Sequence, residues 1–203
     1  MKKGTIILII IGGLIGVLFI VGLIGFFYYK SNYDKIVNLE ENVSQQWSNV
    51  ESVYQRRLDL IPNLVSTVKG YADFEKETLT QVIEARAKAT SVNIDAKNLN
   101  STNFQQFQQA QGSLSSALSR LMVVVEKYPD LKANQNFLEL QAQLEGTENR
   151  IAVERMRYNE AVSTYNKFIK KLLIKMLFSR DEKPYFKADE AAATAPKVDF
   201  SNK

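Results

Sequence analysis

Three charged side chains occupy positions where packing calls for apolar ones. Stepping by sevens from Ile36 gives Val43, Val50, Arg57, Leu64 and Tyr71, so Arg57 interrupts an apolar row. A second row reads Gln141, Glu148, Arg155, Val162, Ile169 and Met176, with Glu148 and Arg155 on or beside the seam. Asp59, two residues from Arg57, is a further candidate. Oppositely charged groups in a helix seam do one of two things. They form an ion pair that fixes register, or they line a polar groove that holds a ligand or a partner peptide. If the two stretches run antiparallel with Ala72 level with Asn134, equal rises of about 1.5 Å per residue bring Arg57 level with Asn149 and make Glu148 its expected partner.

A second cluster is basic and apolar: Lys167, Lys170, Lys171, Lys175 and Phe178, interleaved with Leu172, Leu173 and Met176. The same alignment sets it level with Lys30. That composition suits contact with an anionic lipid surface, or simply completes a bundle core.

The chain has no histidine and no cysteine. Ser-His-Asp and Cys-His catalysis, disulfides and Cys- or His-based metal sites are therefore excluded. A standard di-iron carboxylate bundle, which needs Glu-x-x-His, falls with them. Carboxylate, lysine or tyrosine chemistry remains, without a spacing that argues for it. No catalytic, cofactor-binding or metal-binding residue is assigned and no cofactor is expected. Net charge is +4 over 203 residues, with Lys2 and Lys3 contributing two of the positive charges. Acidic and basic residues alternate along helical faces, so the pattern predicts no nucleic-acid partner.

The elements that must position these residues read as helices. From Thr5 to Tyr29 there is no charged residue, and Lys2, Lys3 and Lys30 bracket the run. About 20 apolar residues span a bilayer core. The run is longer than a signal-peptide h-region and ends in Phe26-Phe27-Tyr28-Tyr29, an interfacial aromatic belt rather than a cleavage site. Period-3.6 patterning then predicts a helix over 33–71 that continues through Pro62 with a kink. It predicts a second helix over 74–89 capped by Asp73, with Leu79, Val82, Ile83 and Arg86 on one side, and a loop over 91–103. A third helix spans 104–128 and is stopped by Pro129-Asp130; a fourth covers 134–178, with Phe137, Leu144, Ile151, Tyr158, Tyr165 and Leu172 repeating every seven. The fold expected is all-α: a transmembrane anchor over 1–30, an antiparallel bundle of about four long helices over 31–178, and a mobile tail over 179–203. Tyr185, Phe186, Val198 and Phe200 are its possible docking points.

Specific words in the chain carry a resemblance. They include Leu39-Glu40-Glu41-Asn42-Val43, Trp47-Ser48-Asn49-Val50, Gln55 to Val65 with its Leu60-Ile61-Pro62-Asn63, and Val68-Lys69-Gly70-Tyr71. Tyr128-Pro129-Asp130-Leu131-Lys132-Ala133-Asn134, Gly146-Thr147-Glu148-Asn149-Arg150-Ile151-Ala152 and Tyr158-Asn159-Glu160-Ala161-Val162 follow. In this order the chain resembles the bacterial LemA family from Tyr33 to Lys167. The resemblance implies a short N-terminal membrane anchor, a bundle of long helices and a biochemical role that is poorly defined. It supplies no catalytic residue to carry over. One departure stands out: where the family has Phe-Pro and then Phe-Gly-Phe, this chain has Lys171-Leu172 and Phe178-Ser179-Arg180. Without the proline, the fourth helix is expected to extend further toward the membrane. Lys183-Pro184-Tyr185-Phe186 and Pro196-Lys197-Val198-Asp199-Phe200 return to the family pattern.

These features predict a non-enzymatic, single-pass membrane protein whose bundle is an interaction or scaffold module. The alternative is a ligand-sensing bundle that takes a small molecule or peptide between helices. The expected partners are the lipid bilayer and a protein, with a homo-oligomer also open. Lys2 and Lys3 before the span and Lys30 and Lys35 after it tie in number; the short basic N-terminus favours an inside N-terminus and an outside bundle.

Overall fold

A computed structural model of the chain describes residues 3–71, 75–92, 94, 96 and 99–187, with side chains from Ile11 onward. Among them there are six helices and no strand. The anchor and the first bundle helix, expected as separate elements, are one helix, α1, Lys3–Lys69. Lys30-Ser31-Asn32 contains no helix breaker, and the Asn32 amide donates back to the Tyr28 carbonyl at 2.7 Å, so nothing ends the helix after the apolar run. Its 67 residues give a length of about 100 Å. From Ile11 to Tyr29 the side chains are exposed all round. From Ile36 only one stripe is buried: Ile36, Val43, Trp47, Val50, Tyr54, Leu58, Ile61, Leu64 and Val68. That change from all-round apolar to one-sided marks where the anchor becomes bundle. Among the described residues α1 is the one helix long and apolar enough to cross a membrane.

α1 runs through Pro62 because a neighbour supplies what the proline lacks. Without its N–H, Pro62 leaves the carbonyl four residues back, Leu58, without a helical donor. Arg86 Nε donates to that carbonyl at 3.0 Å. Arg86 belongs to α2, Lys76–Ser91, which buries Leu79, Val82 and Ala89. The expected cap Asp73 lies outside the described residues, and Glu75 at the N-cap position makes no capping bond.

α3, Ser101–Val125, starts three residues earlier than expected, because Asn100 and Asn103 form a reciprocal capping box. It ends before Tyr128. Pro129 does not simply stop it but opens a one-turn helix, α4, Pro129–Lys132, at the position where a missing N–H costs nothing. α5, Gln135–Ile169, is capped by Asn134, whose side chain accepts from the Phe137 amide.

The expectation of one helix from Asn134 to Phe178 is corrected. α5 stops at Ile169, and a separate α6, Leu172–Phe178, follows an extended Lys171. Tertiary contacts replace the missing proline as terminator. The Lys170 amide closes onto the Asn166 and Phe168 carbonyls, Ile174 is buried, and the Phe178 ring stacks on Tyr29 at 4.8 Å between centroids.

α1 and α5 are antiparallel in one register. Asn134 donates to the Tyr71 hydroxyl at 3.1 Å, Arg57 to Glu148 at 2.6 Å, and the Tyr165 hydroxyl to Glu40 at 3.1 Å. Each step down α1 is matched by an equal step up α5. α2 and α3 pack beside them.

The core is two clusters rather than one. The cluster nearer the anchor holds Trp47, Tyr54, Phe104, Phe107, Ile151 and Tyr158; the other holds Leu58, Leu64, Leu114, Leu121, Phe137 and Leu144. Phe186, in the segment expected to be a mobile tail, belongs to the first cluster. Residues 179–187 lie against α5, with Phe186 buried and Tyr185 exposed. Val198 and Phe200 fall outside the described residues.

Candidate functional site: a polar layer and a strap of main chain

The boundary between the two cores is polar. Arg57, between Tyr54 and Leu58, is 1% exposed, whereas Glu148 is 46% exposed. One member of the pair is desolvated and the other is wet. Arg57 Nη1 donates to Glu148 Oε1 at 2.6 Å and to the Ser115 hydroxyl at 2.9 Å. Nη2 donates to the side-chain oxygen of Gln111 and, at 3.4 Å, to its carbonyl. The guanidinium lies over the Tyr54 ring, 5.0 Å from its centroid, and Nε has no partner among the described residues. A buried guanidinium is tolerated only when its donors are met; here α3 and α5 meet four of five.

A cavity of about 470 Å³ opens beside this layer, lined by Arg57, Gln108, Ser115, Ser116, Glu148 and Arg155 among others. Arg155 is not a partner of Glu148. It lies over the Phe186 ring at 4.9 Å and donates to the Lys187 carbonyl at 2.8 Å. Asp59 is corrected as a seam candidate: two residues turn the helix by about 200°, and it faces solvent, accepting from Gln55 at 2.7 Å. Gln111 and Ser115 were not singled out from the sequence. They sit in a polar stretch of α3, and their role appears only once Arg57 is placed against them.

The second arrangement is on α5 and repeats. Asn159 donates to the Phe186 carbonyl and accepts from the Phe186 amide, both at 2.9 Å. Asn166, seven residues on, does the same for Lys183, again at 2.9 Å. The preceding tyrosines join in: Tyr158 donates to the Pro184 carbonyl at 3.1 Å, and the Tyr165 hydroxyl lies 3.3 Å from the Asp181 carbonyl oxygen. The legible signal was the pair of Tyr-Asn words one heptad apart, Tyr158-Asn159 and Tyr165-Asn166. Burial pushes both phenols well above the ordinary tyrosine range, Tyr165 also through the Glu40 carboxylate. Neither is poised for proton transfer near neutrality. Among the described residues no group of acidic side chains could hold a metal ion.

The LemA family model matches residues 46–200, most of the chain. The chain belongs to the LemA family. It is similar to the protein named LemA of Metamycoplasma hominis, 24% identical over 152 residues that cover 74% of this chain and 66% of the relative. It is also similar to the magnetosome protein MamQ 2 of Paramagnetospirillum magneticum, 29% identical over 66% of this chain and 56% of that protein. MamQ of Magnetospirillum gryphiswaldense is 27% identical over 68% and 57%. The matches span between half and two thirds of the relatives' own lengths.

In this LemA family member the basic residues near the anchor are exposed: Lys167, Lys170, Lys171 and Lys175. Lys170 pairs with Glu182 at 2.8 Å, and that hydrogen bond raises its pKa. Lys171 lies over Phe168 at 5.0 Å. Around them α6 exposes Leu172, Leu173, Met176 and Leu177 by half or more. Phe178 is half-buried against Tyr29 and Tyr33.

Proposed function

We propose that this membrane-associated helical protein is a single-pass, non-enzymatic interaction module: it is anchored by α1, seated on lipid by α6, and makes its contacts through the groove at the polar layer. The inside N-terminus and outside bundle remain the favoured orientation. The observation that carries this reading is the Phe178 stack on Tyr29. It sets the apolar α6, with Lys175 within it and Lys170 and Lys171 just before it, level with the aromatic end of the anchor, where such a composition gains from both acyl chains and anionic headgroups. The bundle then stands with its polar layer further out, at Arg57. That layer joins a desolvated cation to a wet carboxylate and open hydroxyls, which suits recognition better than turnover.

The test places a photo-crosslinking residue at Ser116, on the groove, in intact membranes. A discrete adduct that weakens in Gln108→Ala supports contact at this face; no adduct in any growth condition refutes it. A second reading, a sensor for a small anionic molecule, is favoured by the two guanidinium groups on one cavity. Saturable thermal stabilisation by simple carboxylates or phosphate, lost in Arg155→Ala, would select it.

A further inference from the structure

The α5 face that holds residues 181–187 is built to read main chain, not side chains. Asn159 and Asn166 each take both the N–H and the C=O of one residue, as a neighbouring β-strand would. The two pitches match. Seven residues of helix advance about 10.5 Å, and three residues of extended chain advance about 10 Å. So a Tyr-Asn pair every heptad meets an antiparallel extended chain every third residue: Lys183 then Phe186 for the asparagines, Asp181 then Pro184 for the tyrosines. One side chain of the strap is captured. Phe186 enters a box of Trp47, Phe104 and Tyr158, with centroids 6.2, 4.7 and 5.4 Å away, and Arg155 over its ring. Tyr185 and Lys187 point outward.

We propose that this face is a peptide-binding groove whose occupant in the resting protein is its own 181–187 segment. It also takes an extended segment of a partner protein that carries an aromatic residue in register with the box. The two asparagines accept any extended sequence that offers a free N–H and C=O at every third residue, and the box selects the ring. This inference rests on the protein working by contact, and it adds a second contact face to the polar-layer groove. The polar-layer groove shares only Arg155 and Phe186 with it, so the Ser116 crosslink and the experiment below fail independently.

The test uses the full chain in nanodiscs, with the single tryptophan, Trp47, as reporter. Phe186→Ala empties the box; Lys183→Pro removes the N–H that Asn166 holds, so the double variant releases the strap. The probe is a synthetic peptide of the 180–187 sequence with blocked ends. Saturable recovery of the wild-type Trp47 emission is expected in the double variant, and no change in emission in wild type, where the groove is filled in cis. A peptide with alanine for the aromatic of the box fails, and adding Asn159→Ala to the receptor costs at least about tenfold. No saturable recovery up to millimolar peptide, in a variant whose circular dichroism remains helical, overturns the proposal. Recovery without peptide on co-reconstitution with a Trp47→Phe copy also overturns it, because the occupant is then a second copy of this chain.

Discussion

Pro62 and Arg86 form a coupled pair whose strength can be worked out from one bond. Arg86→Ala removes a charged donor at 3.0 Å from the Leu58 carbonyl, and that carbonyl has no helical donor while Pro62 stands four residues on. Hydrogen bonds from charged groups contribute about 1.5–3 kcal/mol, and an orphaned carbonyl costs a similar amount. We therefore expect Arg86→Ala to cost about 2 kcal/mol, a fall of roughly 4–8 °C in Tm for a chain of this size. Pro62→Ala restores the N–H. It relieves up to about 3 kcal/mol of helix penalty, less about 0.4–1 kcal/mol returned by a freer unfolded chain. In that background Leu58 bonds within α1, and Arg86→Ala should cost less than about 1 kcal/mol, the remainder being lost packing of its stem. The coupling energy in the cycle is thus about 1–1.5 kcal/mol. Urea unfolding of all four proteins in one detergent, followed by Trp47 emission, measures it. Costs that add to within about 0.5 kcal/mol would show that Arg86 does not replace the missing donor.

Three further outcomes follow from the same geometry. Glu148→Gln leaves Arg57 desolvated with weaker compensation; because Glu148 is half in water, the loss should be about 1–2 kcal/mol in the same urea assay rather than the larger cost of breaking a fully buried pair. The phenols of Tyr158 and Tyr165 are raised in the folded state, so their contribution is fully present below the unfolded value near 10 and is lost as pH climbs beyond it. Alkaline titration should therefore show part of the tyrosinate absorbance appearing only together with loss of helical circular dichroism. Since the chain has no cysteine, a fluorophore on Met176→Cys reports one site; nitroxide-bearing lipids in the nanodisc should quench it strongly and leave one on Gln141→Cys bright, and equal brightness would remove α6 from the lipid surface.

The helical class, the anchor and the Arg57–Glu148 alignment were legible because they rest on period and spacing alone. Level positions were off by one residue: the bonded pair is Tyr71 with Asn134, not Ala72. What local pattern hid was tertiary. The break after Ile169 has no proline or glycine to announce it and is set by Ile174, Phe178 and the Asn166 grip on Lys183. Residues 179–187 look like a polar tail by composition, because the bonds that hold them come from the main chain, which composition does not encode. Asp59 looked like a seam residue by proximity in sequence, but a helix separates neighbours two apart to opposite sides.

The unbroken course of α1 has one more consequence. A flexible linker would uncouple the apolar stretch from the bundle, but here the apolar stretch and the stretch that frames the groove are a single helix. A piston, tilt or twist of the apolar stretch is passed along one helix toward the level of Arg57, and the distance between the two is set by helical rise.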